Sequence, residues 1–164
     1  MSGAAPLCCR ARWIAGPIST DDVIPGRYKH MYTDPAELAR HVFENLRPGF
    51  AATLAPGDAL CCPEIFGIGS SREQAVSSLI AAGVTAVIAP RFGRIFFRNC
   101  WNLGLLPLEA AAPPLAEGAA IEIDLATAEI RTAGARHPFR PIPPEMLAMR
   151  AQGGLLAMIR SARP

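Results

Sequence analysis

Apolar positions along the chain follow two rhythms, alternate residues and helical spacing, with Gly and Pro marking the changes between them. Leu7 to Ile14 alternates imperfectly and reads as a first strand. Gly16-Pro17 and the polar Ser19-Thr20-Asp21-Asp22 cannot continue it, and Val23 to Tyr28, with Pro25 and Gly26 as turn residues, reads as a loop. Asp34-Pro35 starts a helix, an N-cap followed by Pro at the first helical position. Leu38, Val42, Phe43 and Leu46 keep its spacing until Arg47-Pro48-Gly49. Pro56-Gly57-Asp58 turns into a short strand, Ala59 to Cys62. Phe66 to Glu73 is a glycine-containing turn opening a helix, which Val76, Leu79, Ile80 and Gly83 complete. Val84 to Ala89 is apolar throughout, as a buried parallel strand is; Phe92 to Asn102 fits a second helix and Leu105 to Leu108 a further strand.

The middle third therefore reads as an α/β unit. Ala110 to Gly118 is an Ala/Pro linker. Ala120 to Leu125 and Glu129 to Thr132 form an antiparallel hairpin, and Pro144 to Arg160 carries two short amphipathic helices split by Gly153-Gly154. With no internal repeat and no second domain in view, one α/β domain over residues 1–164 is expected, its core at about 7–160.

Composition narrows the classes. The chain is 51% hydrophobic but only 7% aromatic, so Ala, Leu, Ile and Val must build its core. That apolar content excludes disorder, and 16 Pro with 14 Gly exclude a coiled coil. A net charge of +2 offers no electrostatic footprint for nucleic acid or an anionic membrane. Of the basic residues 15 are Arg and only Lys29 is Lys, a bias of genome composition before any function. The first twenty residues lack both a basic start and an uninterrupted apolar stretch, so no signal peptide is expected. No run approaches the roughly 20 apolar residues that span a bilayer. Five cysteines, four of them in the adjacent pairs Cys8-Cys9 and Cys61-Cys62, do not make a disulfide scaffold and point to a reducing cytoplasm.

The chemistry is concentrated in Gly67-Ile68-Gly69-Ser70-Ser71-Arg72-Glu73-Gln74. Two glycines let the backbone turn tightly and approach a ligand. Ser70, three residues before Glu73, has the spacing of a capping box that would fix the helix start. Two hydroxyls, open first-turn N–H groups and the planar fork of Arg72 then make a site for a small anion. The alternative is an ordinary capped helix after a glycine turn. The stretch fits neither the dinucleotide fingerprint nor the P-loop, lacking the third Gly of one and the Gly-Lys pair of the other.

Phe-Gly-Ile-Gly-Ser-Ser-Arg-Glu-Gln-Ala (66–75), followed by Val-Ile-Ala-Pro-Arg-Phe-Gly-Arg-Ile-Phe-Phe-Arg-Asn-Cys-Trp-Asn-Leu-Gly-Leu (87–105), resembles the aconitase superfamily. More closely, the chain is similar to the separately encoded small subunits of the 3-isopropylmalate dehydratase family, whose upstream motif matches Ser19 to Tyr28. Three motifs in order cover most of residues 8 to 160. The resemblance implies a swivelling β/β/α domain of the aconitase C-terminal type that closes over a large partner subunit. It implies a 4Fe–4S cluster on that partner and none bound by this chain. It also implies a small hydroxy-acid substrate with two or three carboxylates, and no partner of nucleic acid or membrane. Carried over residue by residue, Ser70 is the base, Ser71 and Arg72 bind substrate carboxylates, and Asp21 belongs to the catalytic hydrogen-bonded network. Abstracting a proton beside a carboxylate needs a base and stabilisation of the charge that develops, which is the chemistry this turn offers.

In that family the residues after the upstream Pro-Gly select the substrate's side group. Enzymes for 3-isopropylmalate carry apolar residues there, and homoaconitase types an Arg. Tyr28-Lys29-His30-Met31 fits neither pattern. Lys29 and His30 would meet a third carboxylate and Met31 an apolar group; alternatively Lys29 points to solvent and His30 packs. The substrate thus stays open among 3-isopropylmalate, homocitrate-like tricarboxylates and methyl-substituted malates. Adjacent cysteines in a strand point to opposite faces and no Cys-x-x-Cys occurs, so the cysteines read as small buried hydrophobes and not as metal ligands. His41 and His137 lack ligand spacing and read as structural or exposed. Arg91, Arg94 and Arg98 form one basic stripe, either a solvated face, a contact with a large subunit, or ion pairs with Glu64 or Glu73. The competing function of another class is a non-catalytic anion-binding interaction module.

Overall fold

The computed structural model describes residues 4–111 and 115–164. The chain opens with β1 (Leu7–Trp13), the short β2 (Ile18–Ser19) and three short helices, α1 (Thr20–Val23), α2 (Gly26–Lys29) and α3 (Pro35–Ala39). A 3-10 turn at Ala51–Thr53 leads to β3 (Asp58–Cys61), β4 (Phe66–Ile68) and α4 (Glu73–Ala81). Then follow β5 (Val84–Ala89), α5 (Arg94–Leu103) and β6 (Leu106–Glu109). The end of the chain holds β7 (Ala120–Asp124), β8 (Glu129–Arg131), β9 (Arg136–Pro138), α6 (Pro144–Ala151) and α7 (Leu155–Ser161).

Seven strands pair in the order β6-β5-β3-β1-β7-β8-β9. The first four of these are mutually parallel and the last three extend the sheet antiparallel. Strand alternation divides the core between two faces. Leu60, Cys62, Val87 and Ala89 pack with Leu38, Val76, Leu79 and Phe96 on one side. Ala59, Cys61, Ala86 and Ile88 pack with Leu106, Ile121, Ile123 and Trp101 on the other. Each Leu, Ile or Phe so buried contributes about 1.5–3 kcal/mol. No described helix is long and apolar enough to cross a membrane.

The parallel strands, the hairpin of β7 and β8 and the two terminal helices lie where the hydrophobic pattern puts them. The helix begun at Asp34 is shorter than its spacing predicts. Asp34 does cap it, its carboxylate accepting from the Ala36 amide at 2.9 Å, but α3 ends at Ala39. Phe43 takes a φ of +58° because its ring is needed elsewhere. It is buried edge-on to Phe50 and Phe66, with centroids 5.8 and 6.4 Å away, and its amide donates to Val23 O at 3.0 Å. Leu46 is consequently exposed.

Val23 to Tyr28, expected as loop, is instead largely taken up by the end of α1 and by α2, and a two-stranded sheet of β2 and β4 appears that is too short to leave a periodic signal. The Ala/Pro linker lies partly outside the described residues, at 112–114. Cys9, Cys61, Cys62 and Cys100 are buried as expected, whereas Cys8 is exposed on the opposite face of β1 from Cys9. Arg10 and Arg12, the polar positions of β1, converge on Asp58 at the start of β3. Asp58 accepts from Arg10 Nε at 2.7 Å, Arg12 Nη1 at 3.1 Å and the Ala55 amide at 2.9 Å.

Candidate active site

Two loop regions meet beside the small sheet. One is α1 with the turn into α2, the other the loop from β4 to α4. Ser19 caps α1 in a reciprocal box: the Asp22 amide donates to Ser19 Oγ at 3.1 Å, and the Ser19 amide donates to Asp22 Oδ2 at 2.7 Å. This box, and not one between Ser70 and Glu73, is the one that forms. Helix α4 starts two residues later than that spacing predicts, at Glu73 after Arg72, with no side-chain cap. Ser70 is held outside the helix because its carbonyl is taken. Thr20 Oγ1 donates to it at 3.1 Å and the Arg72 amide at 2.9 Å. The Ser70 side chain is thereby left exposed, with Thr20 Oγ1 3.5 Å from its Oγ.

Backbone crowding fixes the loop's path. Gly67 has a φ of +83°, and a Cβ there would enter the Phe96 ring. Gly93 abuts the Gly67 carbonyl and donates its amide to Phe66 O at 2.9 Å, so no side chain fits at 93. The chain emerges through Ile68 and Gly69 directly into Ser70.

Arg72 joins the two loops. It forms an ion pair with Asp21 through Nη1, which also donates to Ile24 O at 3.3 Å. Its side chain is 16% exposed against 64% for Asp21, so Asp21 anchors the fork from the solvent side. Arg72 Nε is buried without a partner among the described residues, and Gly26, the first residue of α2, lies against the guanidinium. The start of α4 has no side-chain cap, and the helix dipole places partial positive charge there, beside its N-cap residue Arg72. The result is a hydroxyl on a rigid loop, a guanidinium with unspent donors and a helix start, an arrangement suited to a carboxylate.

Among the residues singled out from the sequence, the structure brings together Asp21, Ser70 and Arg72. Ser71 is exposed next to them. No hydrogen bond or ion pair joins Lys29, His30 or Met31 to Ser70 or Arg72 among the described residues; Lys29 ends α2, His30 caps it and Met31 is 62% exposed. Thr20 was not anticipated. It is buried and braces Ser70 across 50 residues of sequence, a pairing that no local pattern marks.

Among the described residues, no group of three or more His, Cys, Asp or Glu side chains is placed to hold a metal ion. Cys61 and Cys62 face opposite sides of the sheet. Burial pushes the Cys9 thiol up to about 11 and the Cys61 thiol to about 12, and it raises Cys62 and Cys100 as well. Protonated thiols are poor ligands.

Residues 58–113, which run from β3 to just past β6, match the Aconitase C-terminal domain family. The 3-isopropylmalate dehydratase small subunit 2 of Archaeoglobus fulgidus is 42% identical over 153 residues, covering 92% of this chain and 93% of that protein. The 3-isopropylmalate dehydratase small subunit of Moorella thermoacetica is 43% identical over 146 residues, covering 87% of each. The crystal structure of 3-isopropylmalate dehydratase from Methanocaldococcus jannaschii superposes with a TM-score of 0.88 at 35% identity, covering 95% of this chain and 94% of that one. With the swivel-type α/β fold in place and the Gly-Ser-Ser-Arg-Glu turn poised beside Asp21, the chain belongs to the small-subunit family of the 3-isopropylmalate dehydratases.

Proposed function

We propose that this chain is the small subunit of a heteromeric hydro-lyase of leucine biosynthesis, which isomerises 3-isopropylmalate by removing water and adding it back at the neighbouring carbon. On this reading residues 1–164 act as one swivel domain against a large subunit. The iron–sulfur cluster implied by the sequence resemblance is assigned on this reading to the large subunit, and the buried thiols of this chain, held protonated, are in keeping with that.

The observation that carries the reading is Ser70, an exposed hydroxyl whose carbonyl is locked by Thr20 and whose neighbour Arg72 is locked by Asp21. Ser70 Oγ takes the proton from the carbon beside a substrate carboxylate and returns it in the reverse step. A serine hydroxyl is a weak base, and the uncapped start of α4 together with Arg72 supplies the positive potential that favours its alkoxide. Arg72 and Ser71 receive the carboxylate on which negative charge develops. Asp21 is a positioning residue: it holds Nη1 and so aims the rest of the fork. Lys29, His30 and Met31, at and just after the end of α2, are on this reading the segment that selects the substrate's side group.

Ser70→Ala tests this directly in the mixture of both subunits. Loss of a positioned base lowers turnover by about 10²–10⁴-fold, while the variant keeps its fold and its association with the large subunit. A variant that turns over at the wild-type rate would contradict the assignment. A change confined to ligand or partner binding would favour the non-catalytic module.

A further inference from the structure

Helix α5 has two unlike faces. Phe96, Cys100 and Trp101 are buried against the sheet, whereas Arg94, Ile95 and Arg98 are exposed. Ile95 is 45% exposed, and beside it lies Ile68 of the catalytic loop at 37%. Gly67, Ile68 and Gly69 join Gly93, Arg94, Ile95 and Arg98 around an open groove of about 510 Å³. Arg91 stands exposed at the same end, its carbonyl accepting from the Phe66 amide at 3.0 Å.

The arginines of this face differ from most others in the molecule. Arg10, Arg12, Arg47, Arg72, Arg131 and Arg140 each meet a carboxylate. Arg91, Arg94 and Arg98 make no ion pair among the described residues; neither Glu64 nor Glu73 reaches them. Arg94 also occupies the first turn of α5, where the helix dipole opposes a cation and no acidic residue compensates it. Such a charge is unfavourable in the isolated chain and favourable against an acidic surface.

We infer that this face, Ile68 and Ile95 ringed by Arg91, Arg94 and Arg98, docks onto an acidic surface of the large subunit, an inference that rests on the heteromeric reading above. Exposed isoleucines surrounded by arginines suit the apolar centre and charged rim of a protein interface. The groove is continuous with the catalytic loop through Gly69, so a surface that covers it closes over Ser70 as well. A second copy of this chain is a poor occupant, because an isologous contact would oppose these arginines to themselves.

The test uses the double variant Arg94→Glu/Arg98→Glu with the large subunit from the same genome, and measures association by titration calorimetry at low and high salt. Charge reversal weakens association at least about 100-fold at low salt and less at high salt, as screening requires. The neutral pair Arg94→Gln/Arg98→Gln loses about tenfold. Turnover at saturating large subunit stays within about twofold of wild type, and Arg160→Glu on α7 binds normally. Wild-type affinity in the charge-reversed variant would overturn the docking assignment alone. So would a loss of turnover with affinity unchanged, which would put the arginines on the substrate. Failure of the wild-type chains to associate would overturn the heteromeric reading and this assignment together.

Discussion

At the scale of single residues, Arg72 bears the most demanding role in the proposed mechanism, in which one guanidinium holds Asp21 and Ile24 O with Nη1 and offers its other donors to substrate. Lysine offers a point charge and no fork. Arg72→Lys therefore raises KM by tenfold or more, since one charge-assisted hydrogen bond is worth about 1.5–3 kcal/mol, with a smaller effect on the melting temperature; steady-state kinetics beside thermal melts check this. That Ser70, Arg72 and Asp21 would be candidates for one site was legible in the sequence, because those residue types sit in compact motifs, and the structure brings them together. Thr20 was not legible, since its hydrogen bond to Ser70 O joins positions 50 residues apart. The capping box was misplaced for a related reason. Ser19-x-x-Asp22 and Ser70-x-x-Glu73 have the same spacing, and only the tertiary hold on the Ser70 carbonyl decides which one caps.

Among the elements, the close approach of β4 to the start of α5 sets where the loop carrying Ser70 leaves the small sheet. Gly93→Ala places a methyl against the Gly67 carbonyl, so the loop must move outward. Melting temperature and turnover fall together, whereas Gly134→Ala, which meets nothing within 4 Å, leaves both unchanged. Long apolar runs such as Val84–Ala89 announced themselves, as did the hairpin of β7 and β8. The short pieces did not. Strands of two or three residues carry no period, and α1 and α2 owe their helical turns to a side-chain cap and to packing under Arg72 rather than to spacing. The end of α3 shows tertiary packing overriding periodicity, because Phe43 leaves the helix to fill the space between Phe50 and Phe66. A three-ring stack of Tyr28, His41 and Tyr32 then ties the segment after α2 to the turn beyond α3.

For the whole molecule, the buried charges predict how stability depends on pH. Burial of Asp58 alone would raise its carboxyl, but the hydrogen bonds from Arg10, the Ala55 amide and Arg12 prevail and hold it below the usual range. Its contribution is therefore complete above the unfolded value near ~4 and is lost as pH falls through the folded value. The thiols act at the other end. Cys9 and Cys61, pushed up to about 11 and about 12, stay protonated after the unfolded chain begins to ionise. Stability thus declines above about pH 8.5. Urea midpoints should be flat between these limits and fall on both sides, and Asp58→Asn should cost about 1.5–3 kcal/mol at neutral pH by weakening its charge-assisted hydrogen bonds to Arg10 and Arg12, with a shallower acid limb. A midpoint that rises on acidification below pH 4 would contradict the Asp58 assignment.

The central claim, that this chain supplies the base of a two-subunit dehydratase, is tested most directly by mixing it anaerobically with the large subunit from the same genome. Each protein alone and the mixture would be offered 3-isopropylmalate, homocitrate, citrate and dimethylmalate, with formation of the unsaturated acid followed by absorbance. Turnover of 3-isopropylmalate in the mixture and in neither protein alone is the predicted result. A stable complex with an intact cluster that turns over none of the four acids would contradict it, and turnover of homocitrate in place of 3-isopropylmalate would move the substrate to a tricarboxylate read by Lys29 and His30.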